Sequence, residues 1–165
     1  MALRNIITEE NPTLRKTSRP VTNFDARLHT LLDDMRQTLE QAGGVGLAAP
    51  QVGILRRAVI VDTGEEILEL VNPEILSSSG EQDGMEGCLS IPGQYGMVKR
   101  PNVVKVRAQD RNGNWFEYEG EELTARCFCH EIDHLSGKLY TDVAYRMLTQ
   151  EELDELFDED GEDEA

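Results

Sequence analysis

Two histidines four residues apart, in the run His130-Glu131-Ile132-Asp133-His134, set the tightest limit on how this chain can fold. On a helix, side chains at i and i+4 share one face a turn apart, so both imidazoles can reach a single metal ion. The pattern asks for a helix, expected over about Glu121 to Leu135 with Gly137 as its C-terminal stop. At 100° per residue, Glu131 and Asp133 fall about 80° to either side of the direction bracketed by the two rings. A carboxylate there can reach a metal-activated water without becoming a ligand, as a general base requires. The bland alternative is a helix with two surface histidines and a glutamate between them. The chain has one other histidine, His29, so this residue type is concentrated in the motif. His29 sits at the edge of an apolar helical stripe and reads as a packed or solvated residue.

Two imidazoles leave a catalytic metal site one protein ligand short. The cysteines are Cys88, Cys127 and Cys129, an odd number that argues for free thiols or metal ligation over a disulfide framework. Cys127 lies one turn before His130 on the same face. Cys88 lies in the turn-like stretch Glu86-Gly87-Cys88-Leu89-Ser90-Ile91-Pro92. Spacing alone does not choose between them, and a buried cysteine without any ligand role is ordinary.

At 165 residues the chain is long enough to bury one real core, and 39% hydrophobic with 29% charged residues fits a globular protein. No apolar run approaches the roughly 18 residues of a membrane span, and no signal-peptide pattern opens the chain, so a cytoplasmic location is expected. The net charge of −16 is concentrated at the end, where residues 151–165 hold ten acids and no base. A chain this acidic gains nothing from phosphate neutralisation, which argues against nucleic-acid binding. We therefore expect a catalytic domain over residues 1–150 and a solvated or disordered acidic tail over 151–165.

Phe24, Leu28, Leu31, Leu32, Met35 and Leu39 recur at helical spacing between Asn23 and Gln41, ended by Gly43 and Gly44. Strand signals follow at Arg57–Asp62 and Ile67–Val71, the latter closed by Asn72-Pro73. Val103–Ala108 and Trp115–Tyr118 read as a hairpin. Helix, strands, helix without a βαβ rhythm indicates an α+β fold, with small antiparallel sheets packed around the helix that carries the histidines. Gly44-Val45-Gly46-Leu47-Ala48-Ala49 imitates a dinucleotide fingerprint but follows a helix and meets Pro50 at once, the wrong context for that motif. Glycines there can instead let backbone approach a ligand.

Taken in order, Gly44-Val-Gly-Leu-Ala-Ala-Pro-Gln51, Glu86-Gly-Cys-Leu-Ser90 and His130-Glu-Ile-Asp-His134 resemble the three signature segments of the peptide deformylases, and the likeness covers about residues 5–145. The resemblance implies Cys88, His130 and His134 as metal ligands. It implies Fe2+ as the cellular metal, with Zn2+ or Ni2+ able to occupy the same site. It implies hydrolysis of the formyl group from nascent chains beginning with N-formylmethionine, and a monomer acting at the ribosome exit is expected. Glu131 would be the general base, with the Gln51 amide and the Leu89 N–H as oxyanion donors. Backbone of Gly44, Val45, Gly46, Glu86 and Gly87 would bind the peptide as an added strand, with Val45 and Cys127 walling the methionine pocket. Asp133 would pair with Arg100.

Two departures stand out. Cys129 occupies the position before the first histidine where the family usually has Gln, a change beside the ligands that removes none of them. The acidic tail is poorly suited to RNA phosphates. The rival readings are an H-E-x-x-H zinc peptidase, which would want a further ligand downstream where no histidine follows His134, and a non-catalytic metal-binding homologue, which would not need Glu131 or Gln51.

Overall fold

The computed structural model describes residues 2–164, with side chains described through residue 158. Helix α1 spans Ala26–Ala42, and β1 (Gly46–Ala48) and β2 (Ala58–Asp62) follow it. Next come β3 (Ile67–Ser79), β4 (Gln82–Cys88), β5 (Ile91–Arg100), β6 (Val103–Gln109) and β7 (Trp115–Glu121). Helix α2 (Leu123–Leu135), the short β8 (Arg146–Met147) and α3 (Gln150–Glu164) complete the chain. One sheet has the order β1-β2-β3-β6-β7 and the other β4-β5-β8, all neighbours antiparallel. The α+β expectation holds.

The period of two in β2 explains how both helices are held. Val59 and Val61 pack with Leu70, Val104 and Val106 against Ala125, Phe128 and Leu135 of α2. Ala58 and Ile60 point the other way, onto Leu28, Leu31, Leu32, Met35 and Leu39 of α1. The five-stranded sheet is thus covered on both faces, which is why β2 reads as a nearly continuous apolar run. A third cluster, Leu14, Ile91, Val98, Leu139 and Tyr140, supports the smaller sheet.

Several boundaries differ from expectation, each for a local reason. Helix α1 begins at Ala26 because the Asp25 carboxylate caps it, accepting from the Leu28 N–H at 3.2 Å. Gly43 ends it at φ 73°. Helix α2 starts at Leu123, since β7 runs on to Glu121 and Glu122 turns the chain at φ 56°. Asn72-Pro73 is a bulge, not a turn: Asn72 sits at φ 51°, the pairing with β6 slips between Val71 and Glu74, and β3 continues to Ser79. The stretch 86–92 is the end of one strand, a two-residue turn at Leu89-Ser90 and the start of the next. Gly84, Gly87, Gly93 and Gly96 hide the alternation that would have announced β4 and β5.

The acidic tail is helical where disorder was one expectation, and its acids through residue 158 stay mostly exposed. Residues Gln150–Glu164 are helical. Thr149 Oγ1 accepts from the Glu152 N–H at 3.1 Å and a Glu152 oxygen accepts from the Thr149 N–H at 3.1 Å, a reciprocal capping box. Arg146 pairs with Glu152 at 2.8 Å, and Leu153 is buried.

Candidate active site

β1 and β4 are the outer strands of their respective sheets, and the ends of both line one cleft. Its volume is about 460 Å³, and Gly44, Val45 and Gly46 form one side with Glu86, Gly87, Cys88 and Leu89 on another. Helix α2 brings Cys127, His130 and Glu131 to the cleft. Two free backbone edges flanking a groove can accept an extended chain between them.

Cys88 ends β4, while His130 and His134 lie one turn apart on α2, and the three donor atoms all fall within 4.8 Å of one another. The Cys88 sulfur is 3.5 Å from His134 Nε2. His130 Nδ1 is engaged by Glu86 Oε1 at 2.9 Å, which leaves its Nε2 to face the thiol. These separations suit the corners of a four-coordinate site, where ligand bonds run about 2.0–2.3 Å. One thiol and two imidazoles form a donor set suited to a borderline divalent ion, so the residues fit the metal the resemblance implies. Cys127 is outside this cluster. Its thiol lies against the Gly46 backbone, and burial together with the Glu131 charge pushes its pKa well above the usual thiol value. It is a neutral wall residue.

Glu131 is 4% exposed and its Oε1 has no hydrogen-bond partner among the described residues. Burial raises its pKa to about 7, although the neighbouring His130 pulls the other way. A carboxylate poised near neutrality with an open oxygen can move a proton in either direction. Gln51 is held by two hydrogen bonds: its Oε1 accepts from the Ala48 N–H at 2.9 Å, and its Nε2 donates to Ser90 Oγ at 3.1 Å. The same amide nitrogen is 3.6 Å from the Cys88 sulfur, so a donor is aimed beside the ligand cluster.

The buried charge network around Glu86 was not legible from the motifs. Arg100 donates to both Glu86 oxygens, at 2.8 and 3.0 Å, and to Asp133 at 2.9 Å, the pairing expected for Asp133. Arg126 adds a bond to Glu86 at 2.6 Å and one to the Val98 carbonyl at 3.0 Å. Burial alone would raise the pKa of Glu86, but the bonds from Arg100 and His130 outweigh it and hold it at about 2. Glu86 therefore has a side-chain part, fixing the tautomer and direction of His130, besides the backbone part expected of it. Tyr140 stacks on the His130 ring at 6.0 Å with an interplanar angle of 20°. Arg126 lies one turn before His130, and that inward-facing base was the available clue. Cys129 is buried beside this network, and burial raises its pKa. His29 is a packing residue, with Nε2 2.7 Å from the Arg111 carbonyl.

An H-E-x-x-H helix bearing a buried, unpaired glutamate beside a convergent thiol–imidazole set defines the class, a hydrolase. The comparisons narrow that class. The family model described as polypeptide deformylase matches residues 3–150. A peptide deformylase of Alkaliphilus metalliredigens is 56% identical over 142 residues, covering 86% of this chain and 97% of that protein. One from Caldanaerobacter subterraneus is 56% identical over 154 residues, covering 93% and 97%. The crystal structure of a peptide deformylase from Legionella pneumophila superposes with a TM-score of 0.84 at 43% identity, covering 97% of this chain and 98% of that one. That from Thermotoga maritima gives 0.85 at 39% identity, covering 87% and 99%. The chain belongs to the polypeptide deformylase family.

Proposed function

We propose that Cys88, His130 and His134 hold one divalent metal, and that around it the chain removes the formyl group from N-formylmethionyl nascent peptides and releases formate. The observation that carries this is the convergence of the three donor atoms within 4.8 Å beside the buried Glu131. When bound, the ion supplies Lewis acidity, bringing the pKa of water toward neutrality and polarising a carbonyl. Fe2+ is the proposed cellular metal, and the donor set also accepts Zn2+ or Ni2+.

The chain's own groups do the rest. Glu131 Oε1 takes the proton of the attacking water and later delivers it to the departing amine. The Gln51 amide and the Leu89 N–H donate to the oxygen on which charge develops, a preorganised arrangement because Gln51 is already fixed by Ala48 and Ser90. Backbone of Gly44 to Gly46 and of Glu86 to Gly87 aligns the peptide as an added strand. Val45 and Cys127 line the methionine side-chain pocket.

No helix among the described residues is long and apolar enough to cross a membrane. The enzyme works in the cytoplasm as a monomer, on chains emerging at the ribosome exit. An anaerobic assay of iron-loaded protein on formyl-Met peptide tests the function. Stoichiometric formate is expected. Cleavage of an unformylated internal bond, with the formyl substrate untouched, would instead support the zinc peptidase reading.

A further inference from the structure

Helix α3 belongs to no part of the chemistry described above, yet it is tied to the cleft. Among residues 151–158 the apolar side chains are Leu153, Leu156 and Phe157. Leu153 is buried at 5% exposure, whereas Phe157, one turn on along the same face, remains 48% exposed. A half-exposed aromatic ring contributes little to a core. Its contact is with Tyr95, the ring centroids 5.8 Å apart and tilted by 59°. Tyr95 lines the cleft, so the helix touches the binding groove through this pair.

Tyr95 is also closely packed at Gly87. A Cβ added to Gly87 would fall 2.6 Å from Tyr95 Cε1 and 2.8 Å from Cδ1, so the tyrosine ring lies directly on the Gly87 backbone. Gly87 is also where the β4–β5 pairing slips, between Glu86 and Cys88, and it immediately precedes the thiol ligand. The Tyr95 backbone is fixed by the Leu148 N–H, which donates to its carbonyl at 2.9 Å at the entry to α3. No hydrogen bond is recorded for the Tyr95 hydroxyl among the described residues, which leaves ring packing to set where the side chain stands.

We propose that Phe157 is a positioning residue: from α3 it holds the Tyr95 ring against Gly87, and Tyr95 so placed is the wall along which the residues after the formylmethionine lie. The inference rests on the deformylase reading of the cleft. Without Phe157 the Tyr95 ring loses this aromatic contact and is free to swing toward solvent. The free edge at Gly87 then loses the side wall that confines a longer peptide, while the groups at Cys88, Glu131 and Gln51 are untouched. A substrate that ends close to the methionine never reaches this wall.

The test compares a formylated dipeptide and a formylated tetrapeptide, both beginning with methionine, on the metal-loaded full chain. Phe157→Ala is expected to raise KM for the tetrapeptide roughly threefold to tenfold, the range given by loss of one aromatic pair. KM for the dipeptide, kcat and bound metal should stay at wild-type values, and Phe157→Tyr should restore the tetrapeptide KM. Tyr95→Ala should likewise raise the tetrapeptide KM, and the double variant should raise it no further. An unchanged tetrapeptide KM in Phe157→Ala, an equal rise for both peptides, or additive single effects would each overturn the proposal. Absence of formate release by the wild-type protein from either peptide would instead overturn the deformylase reading beneath it.

Discussion

Glu131 and Gln51 are the two side chains whose chemical roles follow most directly from their surroundings. Glu131 is buried with one oxygen unpartnered among the described residues, so its removal should leave the proposed ligand cluster standing and delete the proposed proton carrier. Glu131→Ala should retain a full equivalent of metal and lose roughly 10²- to 10⁴-fold in turnover, measured by formate release alongside metal analysis. A rate near wild type would remove it from the mechanism. Gln51→Ala should cost roughly 10²-fold or more in kcat, in line with removal of comparable oxyanion donors. The imidazole pair and this base were legible in the sequence because helical periodicity alone fixes their relation. The proposed third ligand was not, since spacing along a chain says nothing about which loop folds back onto a helix. Family likeness pointed to Cys88, and the short distance from its sulfur to His134 is the geometric counterpart. Glu86 was read through its backbone because nothing local to it announces the two arginines that reach it from β5 and α2.

At the scale of elements, the strand β1 meets α2 with no room to spare. A Cβ on Gly46 would stand 2.6 Å from both Cys127 Sγ and Glu131 Oε2. Gly46→Ala must therefore push the strand or the base aside. Because misplacement of a catalytic group by about 1 Å costs roughly 10²-fold, a loss of that order in kcat/KM is expected, and a wild-type rate would show that the two elements are less closely packed than described. The α1 stripe and the β6–β7 hairpin were legible because their periodicity is uninterrupted. β4 and β5 were not, their alternation being diluted by glycines and by Pro92 at the start of β5. The helix at the acid-rich terminus was missed for another reason: composition suggested a solvated or disordered tail, while the local Thr149–Glu152 box and the buried Leu153 carry a helix. A T-x-x-E pattern before Leu153 was the signal available.

For the whole molecule, the Glu86 cluster joins the small sheet to α2 and links stability to pH. The carboxyl of Glu86 is held at about 2 in the fold against an ordinary value of 4.5. A depressed carboxylate stabilises the folded state fully above its unfolded value and loses that contribution as pH falls through its folded one. The difference in urea midpoint between wild type and Glu86→Gln, both metal-free, should therefore be largest above about pH 4.5 and shrink toward pH 2. A difference that grows on acidification would contradict the pairing. In the proposed site one sulfur from the small sheet meets two rings from α2 around a single ion. X-ray absorption at the metal edge of the zinc-loaded protein tests this arrangement most directly. One sulfur at about 2.3 Å and two imidazole nitrogens at about 2.0–2.1 Å are expected, with the sulfur contribution lost in Cys88→Ala. Two sulfurs in the wild-type spectrum, or a sulfur that survives that substitution, would contradict it.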